Sequence, residues 1–348
     1  MTISPVSPAA LGNALLAGGR PVPADRTADA LSLCTWALIG ALGILSALLL
    51  AGTGFSLLPG AFDSALGCIA AFAGFALVLR LRGWVRVAMA TSGAAQLFAL
   101  MILVPLVSVM LAGTNLPLAD GSLDALDRLF GADALAVARV QMEHPVWMAA
   151  MNHTYASLLW QPLALVLIGS IFNPNHLTRF VLAWTLSLCI CLAAFPFAPA
   201  LGFYLHHAVD PAAAQSVQVP AAWRHAEILL PARSGALREL GWEQINGIIT
   251  FPSFHAAAAV LLGWGFLFAP RIVRWPMLAL NALMLVSTVV IGGHYLVDVY
   301  AGCAVAGLAI LAAKRLAHWC LAPAGTVAVP AVVVALGATG RASSAARP

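Results

Sequence analysis

Residues Gly247–Val260 read GIITFPSFHAAAAV and lead into an apolar run that continues to residue 270. A run of that kind approaches the ~20 apolar residues a helix needs to cross lipid, so its reading decides the fold class. It also carries an ionisable side chain, His255, at its entrance. Outward from this stretch the composition agrees. Of 348 residues, 62% are hydrophobic and 9% are charged, against roughly 25% charged in soluble domains. Inside lipid each backbone N–H and C=O must be satisfied within its own element, which leaves helices or closed barrels. Continuous apolar runs, not ten-residue alternation, exclude the barrel. The expectation is an all-α, polytopic membrane helix bundle of about eight transmembrane helices. They fall near 31–52, 64–80, 94–112, 154–173, 180–201, 254–270, 275–293 and 298–317. Residues 1–30 read as a disordered cytoplasmic tail, 31–112 as N-terminal membrane helices, 113–318 as a catalytic membrane domain, and 319–348 as a tail with a possible extra span over 325–340.

Charge orients this layout. With the amino terminus inside, the short cytoplasmic loops carry Arg80, Arg82, Arg86, Arg179, Arg271, Arg274, Lys314 and Arg315. The two long outer segments carry only Arg128, Arg139, Arg224, Arg233 and Arg238. Basic residues in short inner loops set membrane orientation. The net charge of +4 comes from scattered basic residues without aromatic interleaving, so nucleic acid is not an expected partner. The six cysteines lie in or beside apolar runs and read as small apolar fillers. In the first outer segment, LDALDRLF places Leu123, Leu126 and Leu129 at near-helical spacing, which predicts an interfacial helix acting as a solvated lid without chemistry. His206 and His207 lack neighbouring third and fourth ligands and read as solvated, so no metal site is expected. A membrane metalloenzyme built on His206, His207 and Asp210 is a minor alternative.

Two other histidines carry the chemistry. His255 and His294 are separated by one span, a short turn and a return span, which delivers both to the outer face at matched depth. His294 and Asp298, in GGHYLVD, are four apart and share a helix face. A carboxylate there can take one imidazole N–H, fixing the tautomer and leaving the other nitrogen free to attack. Gly292 and Gly293 permit a sharp turn and close approach of a ligand to backbone. Ser253, after Pro252, is an N-cap candidate, and a helix opening there directs free N–H groups at an anion. These parts suit phosphoryl transfer: one imidazole attacks phosphorus, the other protonates the leaving oxygen, and no cofactor is required.

FPSFHAA and GGHYLVD resemble the type-2 phosphatidic acid phosphatase superfamily, particularly its inositolphosphotransferase-like branch. The resemblance spans roughly 115–310 and includes LPLADGSLDALDRLFG, Tyr155 and Gln161. It implies a membrane core of that superfamily, His294 as nucleophile, Asp298 as its orienting partner, His255 as general acid and Ser253 on phosphate. Two departures stand out. Where the phosphatase motif has Ser-Arg, this chain has Ser287 and Thr288, and an upstream Lys-x6-Arg-Pro element is not recognisable. Arg233 or Arg238, in PARSGALRELGW, is the expected replacement cation, with Gly293 beside the phosphate. The function expected is cleavage of a lipid phosphate ester or anhydride through a phosphohistidine. The alternatives are transfer of a phosphoryl head group to a lipid hydroxyl, and a non-catalytic lipid carrier on the same fold. A lipid phosphate or phospholipid and the surrounding membrane lipids are the expected partners.

Overall fold

The computed structural model describes residues 26–211 and 221–321. Most of tail 1–30 and the patch 325–340 lie outside the described residues. Residues 26–30, assigned to the tail from composition, belong to the first helix.

Helices dominate. α1 (Arg26–Thr53), α2 (Asp63–Leu81) and α3 (Val85–Ala112) form the amino-terminal group. A layer of shorter helices follows: α4 (Asp120–Leu129), α5 (Ala134–Met142) and α6 (Pro145–Ala156). α7 (Gln161–Phe172) and α8 (Pro174–Ala194) return through the bundle. After a connecting region with α9 (Phe203–His206), α10 (Ala221–Arg224) and α11 (Ala226–Ser234) come α12 (Phe254–Phe266), α13 (Arg271–Val290) and α14 (Leu296–Leu321). A two-residue parallel pair, Ser56–Leu57 with Glu239–Leu240, ties the α1–α2 loop to the segment after α11. Among the described residues, six helices are long and apolar enough to cross a membrane, seven if a bent pair counts as one. The chain is a multi-pass membrane protein.

Two expected spans take a different form. The single span over 154–173 is α6 and α7, bent by 53° at their junction. Pro162 opens α7 without an N–H to donate. Gln161 bridges the break, donating to Ser157 Oγ at 2.8 Å and accepting from Asn281 Nδ2 at 2.8 Å. The span over 254–270 is the 13-residue α12, about 20 Å at 1.5 Å per residue and short of the ~30 Å hydrocarbon core. It is packed inside the bundle. Ala256, Ala257, Ala258 and Ala259 are all buried, and α12 packs against α7, α8, α13 and α14. Small side chains at helix contacts let backbones approach closely in a bundle. Gly302 in α14 does the same from the other side, since a Cβ there would collide with the carbonyl of Ser253.

The buried apolar residues form a large core among the spanning helices and a second one under the outer layer. The second gathers Leu123, Met148, Met151, Phe203, Tyr204 and Tyr295. The cysteines are free thiols, and only Cys191 is fully buried.

Candidate active site

The loop between α13 and α14, GGHYL, places His294 one turn ahead of Asp298, as the i, i+4 spacing requires. Gly293 has φ +69°, a left-handed conformation that costs a side-chain-bearing residue energy and glycine almost none. Its carbonyl accepts from Phe203 N at 3.1 Å, and an added Cβ would press on Ala222 and Tyr204. Gly293 therefore packs against Ala222 and Tyr204 and does not line the cavity described below, whereas Gly292 does.

His294 is 5% exposed and Asp298 fully buried. His294 Nδ1 lies 3.3 Å from Asp298 Oδ2, which also accepts from Tyr295 N at 3.0 Å. On the other edge of the ring, His294 Nε2 lies 3.3 Å from Ser253 Oγ. Ser253 is the N-cap of α12, accepting from Ala256 N, and its own N–H donates to the Asp298 carbonyl at 3.1 Å. The first turns of α12 and α14 are thus joined around His294. Both imidazole contacts are at the long end of hydrogen bonding.

His255 comes from the first turn of α12. Its ring stacks on Tyr155 at 3.9 Å between centroids, with the planes 10° apart. Tyr155 reaches it because α6 ends at Ala156, just before the bend into α7. His255, His294, Gly292, Tyr155 and Thr250 line one cavity of about 450 Å³. The remaining wall is largely apolar, built from α3 (Leu97, Met101, Val104), α7 (Pro162, Leu163) and α8 (Trp184, Leu188). His225 also lines it, with Nε2 2.7 Å from the Leu201 carbonyl.

Among the described residues the lining contains no Arg or Lys. Arg233 and Arg238 are not brought to this cavity. Arg233 donates to the Leu116 carbonyl at 2.7 Å, and the Arg238 guanidinium sits over the Phe55 ring at 4.6 Å. Thr288, at the position of the phosphatase arginine, donates to the Met284 carbonyl of its own helix at 2.7 Å.

The short helix α4 holds acidic residues to which the sequence alone assigned no role. Its buried stripe is Asp120, Leu123 and Asp127, while Leu126 and Leu129 point outward. Asp120 accepts from Leu201 N, Gly202 N and the Tyr295 hydroxyl at 2.9 to 3.1 Å. Asp127 accepts from Leu296 N and Val297 N, both at 2.8 Å, and so caps α14. Burial pushes the Asp127 carboxyl up from its usual range while these two N–H groups pull it back. Burial and then Asp120 push the Tyr295 phenol up, keeping it a donor. α4 is therefore a brace under the His294 turn and not a solvated lid. The signal was available: Asp120 and Asp127 are seven apart, two turns on one face.

No curated protein and no solved structure matched the chain in comparisons of either kind. A family model described as the PAP2 superfamily matches residues 122–312, from the brace α4 through both histidines and most of α14. With more than half its length under that model, the chain belongs to the PAP2 superfamily.

Proposed function

We propose that the protein cleaves and transfers a lipid-linked phosphoryl group through a phosphohistidine on His294. The observation that supports this most is the single cavity lined by both His255 and His294, with His294 held between Asp298 and Ser253. Asp298 keeps the proton on Nδ1, so the Nε2 lone pair is the nucleophile. Nε2 attacks phosphorus, the phosphorus–oxygen bond to the leaving alcohol breaks, and that oxygen takes a proton from His255. In the second half His255 removes a proton from the incoming hydroxyl, which attacks phosphorus and releases His294. Ser253 Oγ and the Phe254 and His255 N–H groups at the start of α12 are the donors assigned here to the phosphate oxygens.

The lining favours a finer reading. A phosphomonoester brings nearly two negative charges, and burying them requires matched cations. A phosphodiester brings one. With no Arg or Lys among the described lining residues, a diester donor fits better, which supports transfer of a phosphoryl head group to a lipid hydroxyl over simple phosphatase action. The apolar wall runs out to exposed Met101, Leu159 and Leu163, a path for the lipid chain. The distribution of basic residues supports a cavity on the non-cytoplasmic side and a cytoplasmic amino terminus.

The test uses purified protein with a donor phospholipid labelled in its head group, with and without a lipid alcohol, beside His294→Ala. Label on the lipid alcohol, absent in the variant, is the expected result. Release of the labelled head group only as its water-soluble phosphate, with no label on the lipid alcohol, would make the protein a hydrolase. Lipid exchange between leaflets that persists in the variant, without bond cleavage, would leave only the carrier reading.

A further inference from the structure

The outer layer brings a third ligand to the paired histidines. Asp124, from α4, lies 83 residues before His207 in sequence, yet its Oδ1 is 2.9 Å from His207 Nε2. The ligating atoms of Asp124, His206 and His207 all lie within 4.8 Å of one another. We propose that these three residues bind a divalent first-row transition ion, zinc in the first instance, outside the reaction cavity.

Two imidazole nitrogens and one carboxylate oxygen form a borderline donor set, suited to zinc and its neighbours. Calcium and magnesium prefer all-oxygen shells. Three protein ligands leave a fourth tetrahedral position for water. Zinc bonds of 2.0–2.2 Å place ligand atoms about 3.4 Å apart. Asp124 and His207 are already inside that distance, so the adjustment falls on His206, which is exposed. Arg128 holds the other carboxylate oxygen, Oδ2, at 2.8 Å, which leaves Oδ1 facing the histidines. A metal bound at His207 Nε2 and Asp124 Oδ1 takes the place of the hydrogen bond between them.

None of the three residues lines the cavity of His255 and His294, so the ion takes no part in the bond changes. Its place is mechanical. It would join α4 to α9, and both already hold the catalytic loop: α4 through Asp120 and Asp127, α9 through the Phe203 N–H on the Gly293 carbonyl. A ligand that binds the folded state alone stabilises it in proportion to its occupancy.

The experiment uses the full chain without a histidine tag, in detergent, after chelator dialysis. Zinc binding is measured by calorimetry, cobalt binding by its visible absorption, and unfolding temperature with and without zinc. One equivalent of zinc is expected, together with a zinc-dependent rise in unfolding temperature. Asp124→Asn and His206→Ala should each weaken binding by at least about tenfold, whereas His144→Ala, at an exposed histidine outside the cluster, should not. His206 is on the surface, so its variant is expected to fold and keeps the test interpretable. Absence of stoichiometric binding, or binding unchanged in both cluster variants, would overturn the site.

Discussion

The two histidines of the cavity are held in opposite ways. The His294 turn is tied by hydrogen bonds on every side: Asp298 and Ser253 on the ring, Tyr295 N on Asp298, and beneath them Asp120 and Asp127. His255 stacks on the Tyr155 ring, and both rings line the largely apolar cavity. A nucleophile must keep one nitrogen aimed and unprotonated, which a carboxylate and a rigid loop secure. A general acid and base must take up and release a proton as the leaving group and acceptor exchange places, which a polar cage would hinder. The contrast between a cage and a stack fits the two tasks proposed for these histidines.

The largest effect that can break this comparison separates the two histidines by leaving group. His294→Ala should lower turnover by at least about 10⁴-fold on any substrate, because the attacking atom is gone. His255→Ala should cost about 10²- to 10⁴-fold on a natural alcohol leaving group. It should recover most of that loss on a nitrophenyl ester, whose leaving oxygen needs no proton. Equal losses for both variants on the activated substrate would end the division of labour.

Next comes the brace. Asp120→Ala leaves three donors buried without an acceptor, at about 1–3 kcal/mol each, and should cost roughly 3 kcal/mol or more of stability. Thermal unfolding in detergent measures this, and turnover should fall with it because Tyr295 loses its anchor beside His294. An unchanged unfolding temperature would show that α4 does not hold the turn.

The smallest effect sharpens the other half. Tyr155→Phe preserves the ring and should stay near wild type. Tyr155→Leu removes a stacking contact worth about 0.5–1.5 kcal/mol and should lower kcat roughly two- to tenfold with the fold intact. Identical kinetics for the two variants would mean the ring does not position His255.

Local pattern accounts for what was readable beforehand. The i, i+4 relation of His294 and Asp298, the cap at Ser253 and the delivery of His255 to the same end as His294 all follow from helix geometry over short stretches. The same logic gave α12 too many residues and could not say what it packs against. An apolar run has the same composition whether it meets lipid or other helices, and the alanines after His255 meet helices. It also passed over Asp120 and Asp127, because their partners lie about 80 to 175 residues away in the chain.

By itself, the sequence determined a multi-pass helical membrane protein with a paired-histidine motif, since hydropathy and helical periodicity are properties of neighbouring residues. Only the tertiary structure decided which groups surround the pair. Tyr155 reaches His255 across a bend, α4 turns its acids inward, and Arg233 and Arg238 are spent elsewhere. Burial and long-range hydrogen bonds come into being when distant helices pack, and no short stretch of chain encodes them.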